Sequence, residues 1–221
     1  NIVASDCAIP DSPENNFATL NPLALGTDGT LSEGNLKIIY GSSATRTTTT
    51  ATMGIASGKW YWEVNKNASG DELGGITNVS DYAGIYPGSA SGSWGYYGGD
   101  GQKYVEGTAS NYGAAYTTGD IIGFALDMDA GTLVAYKNNS SQGTLASSLT
   151  GDIYPAIGDG AGTGTTNNAF NFGQDPTFAG FMDSTTSAKT PSNSGAGTAD
   201  SEGNGKFFYA PPSGFLSLCS A

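Results

Sequence analysis

Apolar residues along this chain recur most clearly with a period of two. In "GKWYWEVN" (58–65), Trp60, Trp62 and Val64 fall on one side, while Lys59, Tyr61 and Glu63 fall on the other. That alternation predicts a strand with one face in a core. The stretch "DIIGFALDMDAGTLVAYKN" (120–138) holds two such runs. Ile122, Phe124, Leu126 and Met128 alternate with Ile121, Gly123, Ala125 and Asp127; beyond Asp129-Ala-Gly131, Leu133 and Ala135 alternate with Val134 and Tyr136. Two period-2 runs around a short Asp/Gly turn predict a β-hairpin. Further strands are expected at "NLKIIY" (35–40), Trp94–Tyr97, Lys103–Val105, "DIYPAIG" (152–158) and "NAFNFG" (168–173). "SSATRTTTTATM" (42–53) is β-prone without large apolar residues and suits an exposed edge or wall. "LGGITNV" (73–79) is expected beside the Trp60 strand, its glycines allowing a close approach or a bulge.

The segments between these runs set the organisation. Residues 1–34 have turn residues and scattered apolar positions but no period. They read as an arm laid on the core, with Phe17, Leu20, Leu23 and Leu25 as its anchors. Residues 35–221 then form one β-sandwich. Within it, 179–205 is almost devoid of apolar residues after Met182 and reads as a low-complexity loop insertion, and "KFFYAPPSGFLSLC" supplies a last strand. No fixed-period repeat and no linker between two cores is visible. The fold expected is all-β: an antiparallel two-sheet sandwich with long loops and little helix.

Composition agrees: 34 of the 221 residues are glycine and 12 are tyrosine, a profile of short strands and many turns. Asp and Glu outnumber Lys and Arg by 20 to 8, for a net charge of −12. Such a chain repels phosphate, which argues against a nucleic-acid partner. No apolar run approaches the roughly 20 residues that span a bilayer, so membrane insertion is not expected. Histidine is absent, which removes the commonest general base and transition-metal ligand together. Cys7 and Cys219 lie near opposite ends; they are either bonded, tying the termini, or two buried free thiols, and spacing does not decide. The chain begins at Asn1 with no signal-peptide pattern, which fits a processed product, an excised domain or part of a longer protein.

In order along the chain, "GKWYWEV", "LGGITN", "WGYYGGDGQKY", "YTTGDIIGFALDMDAGTLVAYKNN", "YPAIG" and "NFGQDPTF" resemble the SPRY (B30.2-like) domain over about residues 57–178. The flanks "DSPENNFATLNPL", "TLSEGNLKI" and "YAPPSGFLSLC" look like SPRY-type modules of tailed-bacteriophage structural proteins. The resemblance implies a bent two-sheet sandwich, no enzymatic activity and ligand recognition by loops at one end. It further implies a virion surface module of tail- or neck-fibre type that binds a host surface glycan or protein. The alternative is a decoration, cement or fibre subunit contacting other virion proteins, with homo-oligomerisation left open. One departure is residues 179–205, which intervene where such modules run soon into "Y-x-PP-x-GF".

Three sets of residues could carry chemistry. Asp127-Met-Asp129-Ala-Gly131 has the outline of a calcium loop, but no distal Glu follows and Asn138 stands where one is needed. The preferred reading is a turn capped by Asp129 with Gly131 at positive φ, and no metal or other cofactor is expected. A jelly-roll glycosidase would need paired carboxylates along one strand. Glu63 stands alone, Asp71, Glu72 and Asp81 sit in loops, and Asp127 and Asp129 bracket a turn, so no catalytic residue is assigned. The third set is Tyr82, Tyr86, Tyr97, Tyr104, Tyr112 and Tyr116, all in or beside glycine-rich loops. These are the candidate ligand-binding residues, because tyrosine offers an apolar ring and a wet hydroxyl at little entropic cost; packing is the competing reading. Trp60, Trp62 and Trp94 are expected in the core. The Thr/Ser/Asn-rich surface suits assembly, glycan recognition or a durable extracellular protein alike.

Overall fold

The computed structural model describes residues 15–41, 46–78, 84–160, 164–182 and 197–220. Its alternating segments form two main antiparallel sheets packed face to face, a β-sandwich. One sheet contains β1 (Gly29–Ser32), β2 (Lys37–Tyr40), β4 (Lys59–Lys66), β9 (Ile121–Asp127), β10 (Thr132–Lys137), β11 (Ser140–Ala146) and β13 (Thr166–Asn171). Their spatial order is β1-β2-β13-β4-β9-β10-β11. The other runs β3-β12-β5-β6-β7-β8, where β3 is Thr47–Thr50, β5 Glu72–Thr77, β6 Ser93–Tyr97, β7 Gln102–Val105, β8 Thr108–Asn111 and β12 Tyr154–Asp159. A single 3-10 turn, Pro22–Ala24, is the only helical element among the described residues.

The two inner faces make the main core. Trp62, Val64, Ile122, Phe124 and Leu126 meet Ile76, Tyr96 and Ile157 across it. Trp62 stacks on Phe124 at 5.5 Å between ring centroids. Burial of each such side chain stabilises the fold by about 2–3 kcal/mol relative to exposure. Trp94 also lies in this core, whereas Trp60 packs on it only partly buried. The "LGGITNV" segment is placed differently from the sequence expectation. β5 pairs with β12 and β6, while β4 pairs with β13 and β9. Its glycines do permit a close approach, but from across the sandwich. A Cβ on Gly74 would lie 2.9 Å from the Phe124 ring.

The sequence pattern is also misleading for the second face of β4. The alternation predicts one face of the strand in a core, yet Tyr61 and Glu63 on the other face are also buried, 2% and 0% exposed. The outer face of the larger sheet is covered by the chain on either side of the glycine-serine insertion. Phe178, Met182 and Phe208 close over Ile121 and Ala169, and Phe207 closes over Tyr61 and Ala125. The end of the chain contributes two short strands, β15 (Lys206–Phe207), paired with β14 (Thr198–Ala199), and β16 (Leu216–Ser217), which runs parallel to the start of β4.

Two carboxylates fasten this cover. Glu63 Oε2 accepts the Phe208 N–H at 2.8 Å, and its Oε1 accepts the Tyr209 N–H at 2.9 Å. Burial pushes the Glu63 carboxyl up to about 7, although these hydrogen bonds pull the other way. Asp200 accepts the Ser217 hydroxyl at 2.6 Å and the Ser217 and Asn204 amides at 2.9 and 3.0 Å.

Before the first strand, Phe17 bridges Cys219 and Leu20 bridges Ala51, and both are buried. Leu25 packs on the core, but Leu23 is 96% exposed because it sits in the 3-10 turn with its side chain outward. The threonine run does form a sheet edge, but all four of its residues are buried rather than exposed. Asn21 and Gly26 from the preceding segment hydrogen-bond to Thr50 and Thr49 and cover them. Cys219 is a free, buried thiol; Cys7 lies outside the described residues.

The acidic hairpin is a four-residue connection, Met128–Gly131, between β9 and β10. Asp127 caps it by accepting the Ala130 N–H at 2.9 Å and pairs with Lys59 at 3.0 Å. Asp129, expected as the cap, instead reaches across to the Gly58 N–H at 2.9 Å. Gly131 adopts φ +63° as the turn requires.

Candidate functional site

At one end of the sandwich β3, β5 and β7 begin, and β6 and β12 end. The outer face of the smaller sheet is paved there with small residues. Gly95 sits opposite Gly75 on one side and Tyr104 on the other, and Gly158 pairs with Leu73 and Thr48. The segment Ile85–Gly88 lies directly on this paving. A Cβ on Gly95 would stand 2.1 Å from the Pro87 carbonyl oxygen, and one on Gly158 would stand 2.5 Å from Pro87 Cδ. Thr48 Oγ1 donates to the Ile85 carbonyl at 2.9 Å, and the Ser89 hydroxyl donates to the Tyr86 carbonyl at 2.7 Å. These contacts fix Tyr86 beside the sheet.

Tyr86 therefore meets two strand tyrosines. Its ring stands edge-to-face on Tyr104 at 5.6 Å and 87°, and Tyr104 stands edge-to-face on Tyr97 at 6.2 Å and 82°. The three rings wall an open pocket of about 190 Å³ that also includes Arg46, Asp71, Leu73 and Gly160. Tyr97 donates its hydroxyl to Asp71 Oδ1 at 2.7 Å. The Arg46 guanidinium lies over the Tyr86 ring, 5.2 Å from its centroid. Burial, then Asp71, holds the Tyr97 phenol above its ordinary range, and burial does the same for Tyr104. Both are neutral hydroxyls at physiological pH. A second depression, formed by Ser69, Gly70, Gly98, Gly99 and Thr117 above the buried Lys66, shares Asp71 with the first.

The six tyrosines singled out in the sequence thus divide. Tyr86, Tyr97 and Tyr104 come together in one pocket. Tyr116 is buried, with its hydroxyl bonded to the Tyr96 carbonyl at 2.8 Å and its ring against Tyr96. Tyr112 closes the seam between the sheets, donating to the Gly143 carbonyl at 2.6 Å and accepting the Ala135 N–H at 3.2 Å. Tyr82 lies outside the described residues. Sequence reasoning missed Arg46 and the pocket role of Asp71. A signal for Arg46 existed, since it is the one arginine in the chain and stands at the head of the threonine run.

The most diagnostic sequence stretch serves the same end of the molecule structurally. Asp120 accepts the Thr117 N–H at 2.9 Å and the Asn138 side-chain amide at 2.8 Å, and pairs with Lys137 at 3.3 Å. Asn138 in turn accepts the Ile121 N–H at 3.0 Å. One carboxylate thereby holds the turn before β9 to the turn after β10.

Comparison with known proteins places this arrangement. The SPRY domain signature matches residues 59–175. Ran-binding protein 9 of Xenopus tropicalis is 32% identical over 156 residues, covering 66% of this chain and 28% of that protein. The human Ran-binding protein 9 is 31% identical over 138 residues, covering 58% of this chain and 19% of the human protein. The chain therefore spans less than a third of the length of these relatives. The human HERC1 SPRY domain superposes with a TM-score of 0.60 at 19% identity, covering 68% of this chain and 96% of that domain. The TRIM65 PSpry domain gives 0.58 at 17% identity, covering 70% and 92%.

These relatives correct the setting drawn from the flanking segments. They are Ran-binding proteins of frogs and humans rather than phage structural proteins. The virion location, the host-surface glycan or virion-protein partners, and the fibre, decoration and cement roles fall with that assignment. The flanks misled because short Pro/Gly-rich closures such as "YAPPSGFLSLC" serve the packing of the sandwich and carry little about where it works.

Proposed function

The chain belongs to the SPRY domain family, and on that premise we propose that it is a non-enzymatic recognition module that grips a segment of a partner protein at the loop end of its sandwich. The observation that carries this reading is the convergence of Tyr86, Tyr97 and Tyr104 with Arg46 and Asp71 around one open pocket. Rigid tyrosines and a single arginine are the residue types that concentrate binding energy at protein interfaces. The adjoining depression lengthens the surface, which suits an extended segment rather than a small molecule. The Ran-binding proteins it resembles are named for a binding partner, Ran.

The absence of catalysis is supported by where the acids are spent. Glu63, Asp120, Asp127 and Asp200 all accept backbone amides that close turns or hold the outer cover. Glu72 pairs with the buried Lys66. The chain has no histidine, and among the described residues the pocket carboxylate, Asp71, accepts the Tyr97 hydroxyl.

The test is site-specific photo-crosslinking in cells, with a benzophenone side chain at position 104 or, as a control, at the exposed Ser201 in the turn between β14 and β15. A discrete protein adduct is expected from position 104 and lost on adding Tyr97→Ala. Equal adducts from both positions would remove the pocket from the interface.

A further inference from the structure

We infer that the tyrosine-walled pocket receives a cationic side chain, an arginine or a lysine, from the partner segment. This deepens the recognition reading above and rests on it. Tyr86 stands at 87° to Tyr104 and Tyr104 at 82° to Tyr97, so the successive rings box in the pocket that all three line. Phenol faces are electron-rich and attract cations, most strongly when several rings surround one charge. A cation already rests on this box, since Arg46 stands 5.2 Å from the Tyr86 centroid. Space of about 190 Å³ nevertheless stays open beside it.

The charges decide between a cation and an anion. Asp71 lies in the pocket, and the Asp100 carboxylate bears on both Tyr97 and Tyr104. Among the described residues lining the pocket, the positive charge set against these is that of Arg46. Beyond the pocket the whole chain carries −12. An entering carboxylate would gain Arg46 and the phenol hydroxyls but face the carboxylates of Asp71 and Asp100. An entering guanidinium or ammonium gains the tyrosine rings that line the pocket and the Asp71 carboxylate, and competes with Arg46. Long-range complementarity also speeds capture of a basic segment. Arg46 then has a second role, as an internal occupant that weakens binding until it is displaced.

The experiment uses the full chain with specifically labelled tyrosine rings, followed by NMR. The probes are three peptides, Gly-Ser-Arg-Ser-Gly, Gly-Ser-Lys-Ser-Gly and Gly-Ser-Asp-Ser-Gly. The arginine and lysine peptides are expected to shift the rings of Tyr86, Tyr97 and Tyr104, leave buried Tyr40 unmoved, and bind about tenfold tighter than the aspartate peptide. Added salt should weaken them. Asp71→Asn is expected to weaken the basic peptides several-fold, and Arg46→Ala to tighten them. If the aspartate peptide shifts the same rings and Arg46→Ala abolishes it, the cation assignment is overturned while recognition at the pocket stands. If no peptide moves the rings but the position-104 crosslink persists, the cation assignment is likewise overturned. Loss of both the shifts and the crosslink overturns the recognition reading itself.

Discussion

Glu63 is buried between the larger sheet and its cover, with no ion pair among the described residues. Its hydrogen bonds to the Phe208 and Tyr209 amides are favourable, yet burial dominates and lifts its carboxyl from 4.5 to about 7. The folded state therefore binds a proton that the unfolded state has already released over that interval. The stabilisation linked to this proton is complete below about pH 4.5 and is lost as pH rises through 7. The shift corresponds to about 3 kcal/mol. Chemical denaturation from pH 5 to 8 should show this decline in the wild type and a flatter profile in Glu63→Gln, which is less stable overall. A wild-type profile as flat as the variant's would contradict the assignment. In the sequence, Glu63 falls on the face of its strand away from the predicted core. Nothing in the local alternation reveals that a segment some 145 positions later folds back over it.

Glycine decides how two elements meet the sheets. Gly95 and Gly158 let the Ile85–Gly88 segment lie on the smaller sheet, and that segment delivers Tyr86. Gly95→Ala should cost about 1–3 kcal/mol through the clash with Pro87 and separate Tyr86 from Tyr104. Thermal unfolding and the loss of ring-to-ring NOEs between those two tyrosines check both effects; an unshifted midpoint with NOEs intact would contradict the packing. On the other face, the cover rests on Phe178, Phe207 and Phe208. Phe208→Ala is expected to cost about 3–5 kcal/mol and to expose the 197–218 segment to protease before the rest. Uniform proteolysis would argue against a separately fastened cover. The elements themselves were largely legible. The hairpin and the Trp62 strand follow from period-2 runs, and the strands expected at 35–40, 94–97, 103–105, 152–158 and 168–173 all overlap observed ones. Which strands pair was not, because the glycines in "LGGITNV" announce a close approach without saying to what. β8 and β11 escaped notice because polar, exposed strands carry no apolar period.

At the scale of the molecule, the fold class and the SPRY resemblance were readable because several weak segments occur in one order. The functional setting was misread from flanking closures that report on packing. The proposed site was half legible: tyrosine and glycine richness pointed to the segments that line the pocket, but only a tertiary arrangement separates Tyr86, Tyr97 and Tyr104 from Tyr112 and Tyr116. The central claim is that this end of the sandwich is the recognition surface. The most direct measurement is the affinity of the crosslinked partner fragment for the wild type and for Tyr104→Ala, by calorimetry, with thermal unfolding of both. Binding should weaken at least about tenfold while the variant stays folded at the assay temperature. An unchanged affinity in a folded Tyr104→Ala protein would contradict it.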